Sequence, residues 1–196
     1  MKSMKQKIAN FISIIGHPLL TIPVFVAIAM FTSEDFKKAS FVSFLIIGCI
    51  FIPLILRMLI KSKNGTYTNF DVSDRIQRKS LFIYIVPLLI VVTFLLFKTQ
   101  QNSNLCISVL FATILIFVSQ IVNLFIKSSL HVSLNIYLSF LVMTINFKIG
   151  IVILLFTIIL GWSRIVLKRH TIKEVLLGGF IGLTICLLMY YTEGYL

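Results

Sequence analysis

The chain has 196 residues, of which 59% are hydrophobic and only 12% charged, with a mean hydropathy of +1.05. That much apolar surface exceeds what one water-soluble core can bury, so the composition excludes a soluble domain and describes an integral membrane protein. The net charge of +12 does not point to nucleic acid. The lysines and arginines fall in turns between apolar runs rather than along one helix face with aromatic partners, a distribution suited to anionic headgroups and phosphorylated lipids.

A helix needs about 20 apolar residues to cross the hydrocarbon layer. In chain order the expected spans are Ile8–Phe31, Phe41–Ile60, Leu81–Phe97, Leu105–Ile126, Val132–Asn146, Ile151–Arg164 and Thr171–Tyr191. The first follows Lys2, Lys5 and Lys7 without a small-residue cleavage site and is expected to be retained rather than removed as a secretory signal. Pro18, Pro23, Pro53 and Pro87 fall within spans, where neighbouring helices absorb a kink. His17, in Gly16-His17-Pro18, is read as a hydrogen-bonded residue at such a kink, outside any site. Between Val132 and Arg164, Lys148 and Gly150 are expected to mark the chain reversal.

Gly178 and Gly182 form a small-xxx-small pair suited to close helix packing. Trp162, Tyr190 and Tyr191 read as interface anchors. Cys49, Cys106 and Cys186 sit singly inside apolar runs, with no metal-ligand spacing. The expected architecture is one all-α domain, a polytopic transmembrane helical bundle of about six or seven spans, with no metal and no cofactor. Its oligomeric state is left open.

Polar patches interrupt this pattern after the second, fourth and sixth spans: Lys61–Ser80 with Arg75 and Arg78, Lys127–His131, and Ser163–Glu174. Each crossing switches sides, so patches separated by pairs of spans emerge on one face and can converge. The opposite face then receives Lys37, Lys38, Lys98 and Lys148, leaving 14 of the 18 basic residues on the site face. The positive-inside rule would make that face cytoplasmic.

His170 and Glu174, spaced i,i+4 at the start of the last span, are expected to share a helix face. A carboxylate accepting one ring N–H leaves the lone pair of the other nitrogen directed outward, as a nucleophile requires. Arg164 offers a planar donor fork suited to phosphate oxygens, and His131 with Ser129 adds a second imidazole and a hydroxyl. Two imidazoles among phosphate donors point to phosphoryl transfer, one attacking while the other protonates the leaving oxygen.

At these residues the chain resembles the type 2 phosphatidic acid phosphatase superfamily. Ser163-Arg164-x5-His170-x3-Glu174 looks like its Ser-Arg-x5-His-x3-Asp signature with glutamate for aspartate. Ser129-Leu130-His131 resembles the end of Pro-Ser-Gly-His, with Ser128 at the proline and Leu130 at the glycine. Arg78 answers the arginine of Lys-x6-Arg-Pro, while Asp71 stands at the lysine and Lys79 at the proline. The resemblance covers Asp71 to Glu174 and implies a metal-independent phosphatase acting on a phosphorylated lipid in the cell membrane. His170 would form a phosphohistidine, Glu174 would orient it and His131 would be the general acid. Ser129, Arg164 and Arg78 would hold the phosphate, with Arg75, Ser163 and Lys127 as further binding residues. Many members carry the site on the outer face, opposite to the charge count, so the face is left open.

Two rival readings come from the same residues. Asp71 and Asp74 are close enough in sequence to hold magnesium for a diphosphate, as in intramembrane prenyltransferases. The altered first and second signatures also suit a protein that binds phospholipid on this scaffold without turnover.

Overall fold

In hydrocarbon an apolar run has no hydrogen-bond partner but its own backbone, and a helix satisfies every N–H and C=O internally. The computed structural model describes residues 3–72 and 74–195; Lys2 of the expected basic N-terminus and Ser73 of the long polar segment lie outside the described residues. The protein is all-α, with no strand among the described residues. In chain order the helices are α1 (Met4–Ile15), α2 (Pro18–Ser33), α3 (Phe36–Ser43), a π-helical stretch Phe44–Phe51, α4 (Ile52–Lys63), α5 (Arg75–Lys98), α6 (Ser103–Phe125), α7 (Leu130–Ile145), α8 (Phe147–Val166) and α9 (Ile172–Glu193).

Among the described residues six segments are long and apolar enough to cross a membrane: Met4–Ser33, Phe36–Lys63, Arg75–Lys98, Ser103–Phe125, Phe147–Val166 and Ile172–Glu193. The chain is therefore a multi-pass membrane protein. The fifth expected span, Val132–Asn146, corresponds to α7, which has only 16 residues, about 24 Å of helix against a hydrocarbon layer of about 30 Å.

The elements differ from expectation at the proline and asparagine positions. The first span is two helices: α1 closes with the Gly16 N–H on Ile12 O, and Pro18, which has no N–H to give, opens α2. Pro53 likewise stands at the start of α4. It cannot donate to Cys49 O and its ring crowds that carbonyl, and the wider i→i−5 bond from Ile52 N to Ile47 O accommodates this. The reversal between the fifth and sixth spans falls at Asn146 rather than at Lys148 and Gly150. Asn146 ends α7 in extended conformation and caps α8 by accepting from Ile149 N at 3.1 Å.

The chain groups into two compact units, one comprising residues up to Thr21 together with those from Ile121 onward, the other Ile22–Gln120. Within the second, α5 and α6 are joined by a bond between the Thr93 and Thr113 hydroxyls, 2.9 Å apart. Arg57 of α4 reaches Ser80 Oγ of α5 (3.4 Å) and stacks 4.4 Å over the Tyr84 ring.

In the first unit α7 and α8 form an antiparallel hairpin and α9 lies parallel to α7. Tyr190 is half-buried and donates to Phe140 O at 2.7 Å, tying α9 to α7. Trp162 and Tyr191 are exposed. A Cβ on Gly161 of α8 would meet Val175 of α9 at 3.0 Å and Val132 of α7 at 3.6 Å. The last turn of α8 and the first turns of α7 and α9 therefore share one end of the bundle.

Gly178 and Gly182 allow that parallel approach: a Cβ on Gly178 would lie 2.6 Å from Ser129 O, and on Gly182 2.8 Å from Ser133 O. Gly179 beside them has nothing nearer than 3.8 Å. Gly178→Ala forces α7 and α9 apart and is expected to destabilise the protein by about 1–3 kcal/mol. Gly179→Ala is expected to be neutral or mildly stabilising through helix propensity. Thermal unfolding of the two variants side by side in detergent checks the contrast.

Candidate functional site

The site begins with how α8 stops. Leu167 caps the helix, and Lys168 turns into the left-handed region at φ 55°. Lys168 N donates to Ile165 O (2.9 Å) and Arg169 N to Arg164 O (3.0 Å), the paired bonds of a Schellman closure. His170 N also donates to Arg164 O, at 3.2 Å. The six-residue separation of Arg164 and His170 is thus a closed turn, with both residues held to one carbonyl.

The next turn belongs to α9. Thr171 is its N-cap and forms a capping box with Glu174: Glu174 N donates to Thr171 Oγ1 and Thr171 N to Glu174 Oε2, each at 3.3 Å. The same Oε2 lies 2.8 Å from His170 Nδ1 and 3.6 Å from Lys127 Nζ. Lys127 also donates to Arg169 O at 2.6 Å. His170 therefore precedes the cap and is not on a helix face with Glu174, as the i,i+4 spacing had implied. Their contact arises because a glutamate at the third helical position folds back over the N-terminus.

Ser129 and His131 start α7 against this turn. Ser129 N donates to Glu174 O at 3.0 Å. Ser129 holds the N-cap position, yet its hydroxyl makes no capping bond and is buried with no hydrogen-bond partner among the described residues. His131 is buried, and its carbonyl accepts from Asn135 Nδ2 at 2.7 Å. That amide also donates to Gly16 O at 2.9 Å, binding the α1–α2 break to α7.

Beside the break, the His17 ring meets the His131 ring edge to face, with centroids 4.6 Å apart. His17 Nδ1 accepts from Leu19 N at 3.2 Å, which places the proton of its neutral ring on Nε2. His17 thus lies at the site and not apart from it. Arg164 is wholly buried and donates to Ser13 Oγ of α1 at 2.6 Å.

The first unit therefore brings together His170, Glu174, Arg164, Ser129, His131 and Lys127. Ser163 is buried there too, but its hydroxyl bonds back to Leu160 O at 2.7 Å within α8. Arg75 and Arg78 belong to the other unit, where they occupy the first turn of α5. Arg78 is buried and its Nε donates at 3.3 Å to the carbonyl of Val72, a β-branched residue strained at φ 45°. Asp74 caps the same helix, its Oδ1 accepting from Ile76 N and Gln77 N at 2.9 Å each. Asp71 is half-buried in the loop before it.

Sequence reasoning did not single out Ser13, Asn135 or Thr171. The capping box was readable as Thr171-x-x-Glu174. The small residues Ala9, Ser13 and Gly16, one helix face apart from the bulky positions of α1, were the available sign of a buried stripe. No family model, no curated protein and no solved structure matches this chain.

Chemically, the N-termini of α7 and α9 bring the positive ends of two helix dipoles to a place that also holds Arg164 and Lys127. Such a surround attracts anions. Glu174 fixes one imidazole with Nδ1 protonated, which puts the lone pair on Nε2. Selective ¹⁵N spectra of the histidines are expected to show His170 in this Nδ1–H form when neutral, and Glu174→Ala is expected to return it toward the ordinary tautomer mixture. A wild-type His170 protonated at Nε2 alone would contradict the geometry.

Proposed function

We propose that the protein is a membrane-embedded lipid phosphate phosphatase of the cell membrane, hydrolysing a phosphomonoester or diphosphate through a phosphohistidine. The observation that carries the reading is His170 Nδ1 held 2.8 Å from Glu174 in a turn closed on the carbonyl of the fully buried Arg164. An oriented imidazole fixed to a phosphate-type cation is the minimal apparatus for taking a phosphoryl group.

In the proposed reaction His170 Nε2 attacks phosphorus. The N–P bond forms as the P–O bond to the lipid breaks, and His131 gives its proton to the departing oxygen. Water then attacks the phosphohistidine while His131 takes a proton from it. The N–P bond breaks, and inorganic phosphate leaves. Arg164 and Ser129 hold the phosphoryl oxygens through both steps. Glu174 supports the charge that develops on His170.

The glutamate is compatible with this role even though the resembled signature has aspartate. Its extra methylene lets one carboxylate oxygen close the capping box and still reach His170. The apolar helices would hold the lipid tails.

Phosphate release from a panel of lipid phosphates and diphosphates in detergent, with a chelator present, tests the reading. Wild-type protein is expected to release phosphate. His170→Ala is expected to lose at least about a thousandfold in rate while folding normally. Binding without release would identify a phospholipid-binding protein. Activity that needs magnesium and fails in Asp71→Ala or Asp74→Ala would identify a prenyltransferase-type enzyme.

A further inference from the structure

We propose that α1 is part of the site and that Ser13 is the positioning residue of Arg164, an inference that rests on the phosphatase reading and assigns that site an N-terminal wall. Ser13 and Arg164 are 151 positions apart in sequence, and their bond of 2.6 Å is buried. Ala9, Ser13 and Gly16 are the buried positions over residues 3–16, whereas Met4, Ile8, Phe11, Ile14 and Ile15 are exposed. α1 therefore packs by its smallest side chains. A Cβ on Gly16 would lie 2.7 Å from the side chain of Leu160 of α8, so the end of α1 is packed tightly against α8 near where Ser13 meets Arg164.

This closeness gives Ser13 its effect. A serine hydroxyl is one bond from its Cβ, and on a tightly packed helix it occupies a nearly fixed point. The guanidinium is planar with five N–H donors. Pinning one terminal nitrogen to a fixed point, while the backbone of Arg164 is pinned by the closure of α8, sets the plane in which the remaining donors lie. Paired recognition of two phosphate oxygens depends on that plane.

The same short segment also fixes the proposed acid. Asn135 bonds both Gly16 O and His131 O, and the His17 ring packs edge-on to the His131 ring. Residues 13–17 are thus the common reference for the group that binds phosphate and the group that protonates the leaving oxygen.

A merely structural serine would satisfy a buried donor and nothing more, so the test needs a readout that separates the two roles. Phosphate-release kinetics and thermal unfolding are measured on full-length wild type, Ser13→Ala, Ser13→Thr, Arg164→Lys and the Ser13→Ala/Arg164→Lys pair in detergent. Loss of the bond is expected to lower kcat/KM about tenfold in Ser13→Ala. Ser13→Thr, which keeps the hydroxyl, is expected to return to within about twofold. In the Arg164→Lys background Ser13→Ala is expected to have no further effect, because serine acts only through the guanidinium. Should Ser13→Ala not fold, Ser13→Cys, nearly the same size and a weak acceptor, takes its place.

Unchanged kcat/KM in Ser13→Ala, or the same fold loss in the Arg164→Lys background, overturns the proposal while leaving the phosphatase reading intact. Failure of that reading shows differently, as no release by wild type or full release by His170→Ala. Calorimetric titration with a short-chain phosphatidate then decides the matter for binding alone. Weaker binding by Ser13→Ala, recovered in Ser13→Thr, upholds the role of Ser13, and equal binding overturns it.

Discussion

Arg164 carries a permanent charge at the end of an apolar helix, and none of its surface reaches solvent. A guanidinium so placed costs several kcal/mol unless acceptors and favourable dipoles surround it, so the structure around it has to provide them. α8 ends directly after it, which sets the arginine at the negative end of that helix dipole. Ser13 is brought in from the far end of the sequence to accept one of its donors. The turn then closes on its carbonyl even though Lys168 must adopt a left-handed conformation that costs a non-glycine residue about 1–2 kcal/mol. Because the closing bonds include His170 N, the device that ends the helix also sets the position of the imidazole.

Glu174 shows the same economy. Its Oε2 serves the backbone of Thr171, the ring of His170 and the ammonium of Lys127. The backbone bond anchors the carboxylate rigidly, since it belongs to the helix start itself, and the imidazole inherits that rigidity. An aspartate at this position would be one methylene shorter and would have to give up one of these partners. The glutamate is therefore better read as a consequence of the local helix start than as a defect in a motif.

The approximate extent of six of the seven expected spans was legible in the sequence, because long apolar runs leave the backbone few alternatives. Their ends were not, since ends are decided by single caps: Asn146 closes one helix and opens the next, while Lys148 and Gly150 sit inside α8. The polar residues of the third patch were legible as a group, but their geometry was read on the wrong periodicity. His170 and Glu174 meet across a helix start and not along a helix face. His17 was set aside because span counting places it inside the first apolar run, away from the polar patches. The Gly16-His17-Pro18 break instead carries the imidazole to His131. Contacts such as Ser13 to Arg164 have no local signature at all beyond a stripe of small residues, since they depend on which helix faces α1.

Ser129 gives the site its preference. Serine at an N-cap ordinarily turns its hydroxyl onto the second or third N–H of the helix, and doing so is worth about 1 kcal/mol. In α7 the backbone of Ser129 is instead drawn to Glu174 O and pressed against Gly178, and the hydroxyl is buried without a partner among the described residues. Leaving a buried hydroxyl in that state costs about 1–3 kcal/mol. The cost is recovered by a group that brings acceptor oxygens to the start of α7, and an anion gains further from the helix dipole there. A neutral polar ligand would satisfy the hydroxyl but gain less from the dipole than an anion, so the proposed site would favour charge as well as hydrogen bonding. The lipid phosphate of the proposed reaction would meet both demands, with its tails among the apolar helices.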